Sequence, residues 1–308
     1  MLDSLHPRRP CAAAHLVCSA ALALILGSAG CGGDDIVDPN DREGRTVHIP
    51  LDVGSLGEAI DTAVPGDTLV LGGLHFEVLT SSLVIPSSVT PLVIRGDKSL
   101  ASVSAPSNQA PALIFQDPKA GTRVDLVGFA GGNPAVQVTG SGALVVERCA
   151  FTSGVIGVLG AGSSNLTVTV RDNLVRDPLV FGFEARSSTR LIAEQNTIVN
   201  AGDCGILVGG SSMVTAIGNI ITGSVNFGVA CQGGSLTAES GCNDIYDSGT
   251  AHYSGCTEAE TSFSLDPEFC DANNGDFTLH FSSPCAELNS GEECGRLGAF
   301  EVGCDEEP

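Results

Sequence analysis

Apolar residues recur along this 308-residue chain in steps of about 23, a register that a stacked repeat can hold. One series runs Val70, Val93, Ile114, Val136, Val158, Phe183, Ile206 and Val229. A second runs Val146, Val170, Ala193, Ala216 and Ala238. Both sit in short β-rich runs such as 166–170 and 205–208, with Gly, Ser and Asn between them. No helical runs of about 10–15 residues separate these strands, so alternating strand–helix units do not fit. A hairpin-built sandwich has no reason to keep one register over so many repeats. A parallel solenoid does, because each turn stacks on the last and equivalent residues return at a fixed interval.

A third series is more specific. Asn173, Asn196, Asn219 and Asn243 share the step, and Cys149 occupies the preceding place in the column. An inward amide at a tight corner can bond the backbone of its own turn and the amides above and below, which satisfies polar groups that are costly to bury. Gly157, Gly182, Gly205 and Gly228 form a parallel column, expected at corners that need positive φ. With their asparagine ladder these residues resemble the right-handed parallel β-helix superfamily, the pectate-lyase-like fold, over roughly residues 46–302.

Both ends agree. Ser55-Leu-Gly-Glu58 is a capping box, and Leu56, Ala59, Ile60 and Ala63 follow at helical spacing. A short helix there can cover the first open turn of the coil. The run from Glu58 to Thr68 is similar to the start of many bacterial secreted β-helix proteins. The segments Asp266–Cys270, Asn274–Leu279 and Leu297–Glu301 resemble the terminal region those proteins share. The expected architecture is all-β: a right-handed parallel β-helix solenoid over 46–255, a short N-terminal capping helix, and a disulfide-rich cap region over 256–308.

The first 30 residues have the order of an export signal. Arg8 and Arg9 precede an apolar stretch from Ala12 to Leu26, which is short against the roughly 20 residues of a membrane span. Ser28-Ala-Gly-Cys31 resembles the lipobox of bacterial lipoproteins, which makes Cys31 the lipidation site and residues 31–45 a flexible tether. By that resemblance Gly32 favours the outer membrane, facing either the periplasm or the cell surface. Membrane contact is then expected through the lipid anchor only.

Composition limits the partners. Lys+Arg total 14 against 36 Asp+Glu, a net charge of −22, so a phosphate backbone finds no basic face and nucleic acid is excluded. The same charge weighs against anionic polysaccharides. Gly reaches 39 without a three-residue period, which excludes collagen, and Trp is absent. Exposed Trp or Tyr usually marks a sugar-binding surface, and only Tyr246 and Tyr253 are available.

Beyond Cys31 the cysteines are Cys149 and eight others: Cys204, Cys231, Cys242, Cys256, Cys270, Cys285, Cys294 and Cys304. Irregular spacing and scarce His argue against zinc. In an exported protein the eight are candidates for about four bridges stapling the last turns and the cap, with Cys149 a free buried thiol.

Candidate chemistry is thin. Glu147, Arg171 and Glu194 occupy equivalent outward positions on successive turns. Spaced by about 4.8 Å per turn, the two carboxylates would stand about 9.6 Å apart with the guanidinium between them. That separation approaches the inverting-glycosidase range, yet the same column also describes a solvated ion-pair ladder. Pectate lyases hold Ca²⁺ on Asp carboxylates, a pattern this column does not match. Asp271-Ala-Asn273-Asn-Gly-Asp276 is oxygen-rich enough for Ca²⁺, but its Gly placement reads as a turn, so no cofactor is expected. His48, His75, His252 and His280 lie far apart, so no Ser/His/Asp set is expected. The expected function is a surface-anchored, non-catalytic scaffold, adhesin-like or carbohydrate-binding, with polysaccharide or cell-surface glycan as partner. The alternative is a polysaccharide lyase or glycoside hydrolase working through Glu147, Arg171 and Glu194.

Overall fold

The computed structural model describes residues 44–304, apart from residue 74 and residues 98–100. The expected signal, the tether up to residue 43 and Cys31 lie outside the described residues. Within them the chain coils as a parallel solenoid with three walls. One sheet of 15 strands supplies two walls and a second sheet of eight strands supplies the third.

The two walls of the larger sheet are joined by long strands that turn the corner between them. Val136–Glu147 and Ile156–Arg171 pair with each other along both halves, with a register break between Gly140 and Gly142. Gly140 (φ 83°) and Gly142 (φ 102°) take that break in a conformation that side-chain-bearing residues rarely adopt. The first halves pair onward to Leu113–Gln116 and Phe181–Ser187, the second halves to Thr122–Asp125 and Arg190–Glu194.

Three inward columns fill the interior. Val136, Val158, Phe183, Ile206 and Val229 stack in register on the first wall. Val146, Val170, Ala193 and Ala216 stack on the second. Phe129, Phe151, Val175, Ile198, Ile221 and Ile245 stack on the third, where Phe129 and Phe151 lie face to face at 5.2 Å. All of them join one continuous core, which a fully buried side chain supports by about 1.5–3 kcal/mol each.

The early turns depart from the expected register. Val93 pairs with Thr68 and Arg123, and Val70 pairs with Arg95, on the second wall rather than the first. The inward column there is Leu69, Ile94, Val124 and Val146. Ile114 aligns with Gln137, and Leu113 takes the place beside Val136. Loops of unequal length make the interval drift, and a one-residue slip in a strand reverses the face a side chain presents.

The glycine column also has a different cause from the one expected. Gly157, Gly182, Gly205 and Gly228 are absent from the positive-φ positions. A Cβ on Gly182 would lie 2.9 Å from Ile198 Cγ2, one on Gly205 2.5 Å from Ile221 Cγ2, and one on Gly228 2.1 Å from Ile245 Cγ2. These glycines let the first wall close on the third-wall isoleucines. Positive φ is carried instead by Arg148, Asp172, Gln195, Gly218 and Cys242, each directly before a residue of the Cys149–asparagine column.

At the N-terminal end, helix Leu56–Asp61 covers the first turn with buried Leu56, Ala59 and Ile60. Ser55 Oγ accepts from Glu58 N, and Glu77 accepts from Leu56 N with both oxygens. Arg45 is already fixed: its backbone N and its Nε donate to the buried Asp67 carboxylate at 3.0 and 2.9 Å.

At the other end Phe269–Asp271 and Asp276–His280 form an antiparallel hairpin, joined in parallel by Val302–Cys304. Residues 296–299 run back as a strap along the ladder corners. Arg296 Nη2 donates to Asp172 at 2.8 Å, Gln195 Nε2 to Arg296 O, Gly298 N to Gly218 O, and Ala299 N to Thr197 Oγ1.

Three bridges, not four, tie this end together: Cys231–Cys256, Cys242–Cys294 and Cys270–Cys304. Cys204 and Cys285, expected in bridges, are free and buried, as is Cys149. Cys204 is stacked between Phe181 and Phe227 in an apolar column, where a thiol packs as a small hydrophobe. The Cys285 thiol donates to Asp244 Oδ2 at 3.0 Å.

Candidate functional site: a groove beside the C-terminal hairpin

The asparagine column is a closed structural system. Asn173 Nδ2 donates to Asn196 Oδ1, Asn196 Nδ2 to Asn219 Oδ1, and Asn219 Nδ2 to Asn243 Oδ1, each at 2.9 Å. The same amides donate to Val146 O, Val170 O and Ala193 O, and their oxygens accept backbone N–H groups, including Cys149 N. Asn243 Nδ2 donates to Ala216 O, and the row ends where Asn243 N donates to Ser262 Oγ. These buried amides spend their hydrogen bonds within the coil, which leaves the column a corner device.

Glu147, Arg171 and Glu194 do stand in one register, with Asp125 before them. Glu147 is only 4% exposed because arginines close over it. Its Oε1 accepts from Arg123 Nη1 and its Oε2 from Arg171 Nε, both at 2.6 Å. Arg148 holds Asp125 through two bonds at 2.9 and 2.6 Å. Arg171 is thus engaged by Glu147, and both Glu147 oxygens are occupied. The column is arranged as an ion-pair lattice. A glycosidase would instead present two carboxylates flanking a bond.

Open space lies elsewhere. A groove of about 550 Å³ runs between the outer face of the third wall and the C-terminal hairpin. Its floor is the outward column Arg176, Val199, Thr222 and Tyr246, one residue per turn. Its rim is the next corner, Asp177, Asn200, Gly223 and Asp247, all with φ between 52° and 67°. Asn200 Nδ2 donates to Asp177 Oδ1 at 2.9 Å. Gly223 keeps the rim open, since a Cβ there would sit 2.6 Å from Asn200 Oδ1. The opposite side is Asp266, Phe269, Asn273 and Phe277. Of the two tyrosines the sequence offers, Tyr246 lies here and Tyr253 does not; that Tyr246 shares a groove with Phe269 follows only from the hairpin folding back. The groove therefore combines aromatic rings with Asp177, Asp247 and Asp266 against one cation, Arg176.

The acid-rich run is a turn. Asp271 Oδ1 accepts from Asn274 N and its Oδ2 from Asn274 Nδ2, while Gly275 takes φ 87°. Asp276 Oδ1 accepts from both Thr278 N and Oγ1, and the Thr278 hydroxyl holds its pKa below the usual carboxylate value. Among the described residues no three His, Cys, Asp or Glu side chains group to hold a metal ion. No helix among them is long and apolar enough to cross a membrane.

Three groups escaped sequence reading. Glu184 is fully buried between Leu159 and Leu207 of neighbouring turns and ion-paired to Arg186, and burial pushes its pKa up. Asp244 is buried beneath the hairpin; burial pushes its pKa up to about 6 although Leu265 N and the Cys285 thiol donate to it. Glu268, His280 and Ser282 meet on the far side of the hairpin, where no such set was expected. His280 and Ser282 are two residues apart, which was a visible signal; Glu268 joins them only through the strand pairing.

Comparison with known families gives one finding. A family described as "Right handed beta helix region" matches residues 114–262, the stretch that carries the regular turns and the asparagine column. No curated protein matches the chain.

Proposed function

We propose that this protein, a right-handed parallel β-helix, is a surface-anchored lipoprotein scaffold that binds uncharged glycan in the groove beside its C-terminal hairpin. The observation that carries this reading is the groove itself: Tyr246 and Phe269 offer faces for sugar rings, with the buried Phe277 packed edge-on behind Phe269, and Asp177, Asn200, Asp247 and Asp266 offer hydrogen-bond partners for hydroxyls. Three carboxylates against Arg176 favour neutral over uronic polymers. Consecutive turns repeat the floor at about 4.8 Å, so the groove suits a chain ligand lying along the coil axis.

Anchoring rests on the lipobox-like Ser28–Cys31, and by it the protein is an outer-membrane lipoprotein facing the periplasm or the cell surface. The test is a glycan-array binding and turnover screen of the full chain. Binding of a neutral oligosaccharide without product release, lost in Tyr246→Ala, is the expected outcome. Release of product that disappears in Glu194→Ala would overturn it in favour of a polysaccharide lyase or hydrolase.

A further inference from the structure

The far side of the same hairpin carries a second recess, of about 600 Å³, lined by Glu268, Phe269, His280 and Ser282 among others. His280 Nδ1 lies 2.6 Å from Ser282 Oγ, whose single hydrogen is given to Glu268 Oε2 at rest and reaches Nδ1 on rotation about Cβ–Oγ. Ser282 is exposed, whereas the His280 side chain is 8% exposed and its ring is held against Phe281 at 4.6 Å between centroids. Ser282 N donates to Nδ1 at 3.3 Å, which makes Nδ1 the unprotonated, basic nitrogen and aims it at the hydroxyl. Nε2 then bears the proton and is buried without a partner. Glu268 Oε2 lies 3.8 Å from Nδ1, close enough to stabilise an imidazolium as it forms.

We infer that Ser282 and His280 form a nucleophile–base pair for hydrolysis of a carboxylic acyl ester. An accessible hydroxyl in contact with an imidazole whose acceptor nitrogen faces it is the arrangement that activates serine. The Ser282 hydroxyl turns from Glu268 to His280, and Oγ attacks the ester carbonyl carbon while its proton passes to His280 Nδ1. The tetrahedral adduct collapses, the C–O bond to the alcohol breaks, and His280 returns the proton to the departing alkoxide. Water then attacks the acyl–serine carbon, giving its proton to Nδ1, and the carboxylic acid leaves as Ser282 regains its hydrogen. Glu268 is a positioning residue that accepts the hydroxyl hydrogen at rest and balances the charge on the ring once Nδ1 has taken the proton. A small neutral acyl group suits the recess, since Asp266 and Glu268 at its wall repel a carboxylate.

This inference is independent of glycan binding, and its test needs no glycan. The full chain is incubated with a fluorophosphonate, which phosphonylates activated serines, and with p-nitrophenyl acetate. Covalent label located on Ser282 by peptide mass spectrometry is expected. Ester hydrolysis should fall roughly 100-fold or more in both Ser282→Ala and His280→Gln. The three bridges and the far-ultraviolet dichroism check the fold of each variant. Ser282 is exposed, so its alanine variant tests the chemistry without removing a buried group. An unlabelled Ser282, or equal hydrolysis by wild type and Ser282→Ala, overturns the inference.

Discussion

Arg171 Nε lies 2.6 Å from Glu147 Oε2, one turn of the coil away, and this pairing binds the two residues into an ion-pair lattice. The sequence column admits either an acid–base pair or an ion-pair ladder. The structure engages the arginine with the first glutamate, and Arg123 closes the other oxygen. Glu147→Ala is therefore expected to change stability and leave glycan binding unaltered. The arginines are about 41% exposed and regain water when freed, so the loss is about 1–2 kcal/mol, read by urea denaturation. An equal loss of binding would return Glu147 to the functional site.

Asn219→Ala should be far more costly. Asn219 Oδ1 accepts from Asn196 N and Nδ2, and its own Nδ2 donates to Ala193 O. Its removal strands several buried polar groups, each costing about 1–3 kcal/mol. A loss above about 3 kcal/mol in denaturant midpoint titrations is expected. Asn219→Asp should also be destabilising, because a carboxylate cannot donate to Ala193 O.

Asp244 gives stability a distinct dependence on pH. Its folded pKa, about 6, lies above the roughly 3.9 of an unfolded aspartate. Between these values the folded state binds more protons, so this group's contribution falls as pH rises from about 4 to 6 and is level above that. The shift corresponds to about 2–3 kcal/mol across the window. Asp244→Asn keeps an acceptor for Leu265 N, and subtracting its pH–stability curve from that of wild type should isolate this slope. Parallel curves would show that Asp244 does not titrate in this range.

The free thiols at Cys149, Cys204 and Cys285 should resist modification in the native protein and react once it is unfolded without reductant. Burial pushes the Cys149 thiol up to about 12, and burial also raises Cys204 and Cys285. Thiolate is the reactive form, so labelling is suppressed twice, by access and by protonation. Mass mapping after alkylation in denaturant should find label at these three positions and none at the six bridged ones. Label at Cys231, Cys242 or Cys270 would contradict the pairing.

The coil was legible because its period is enforced by stacking. Val158, Phe183, Ile206 and Val229 must coincide, or a wall loses its core. Asn196 and Asn219 were legible for the same reason, since a buried amide is tolerable only where its neighbour is another. Val70 and Val93 fall out of register where unequal loops break the interval, and the glycine column answers to close packing, against an isoleucine at Gly182, Gly205 and Gly228, rather than to φ. The groove was not legible at all. Tyr246 and Phe277 are 31 residues apart and line one groove because the hairpin folds back along the third wall, a juxtaposition no repeat encodes. Cysteine pairing was equally hidden, because spacing does not show that Phe181 and Phe227 sandwich Cys204.

The strap at residues 296–299 has a mechanical consequence. A linear stack under tension sheds one turn at a time from its loose end, each turn resisting alone. Here Arg296 grips Asp172, Gly298 grips Gly218, and Cys242–Cys294 anchors the strap to a later turn. Pulling on the C-terminus therefore loads the corners at 172, 195 and 218 together, as a shear across several turns. Unravelling from that end should therefore come as one step that spans several turns.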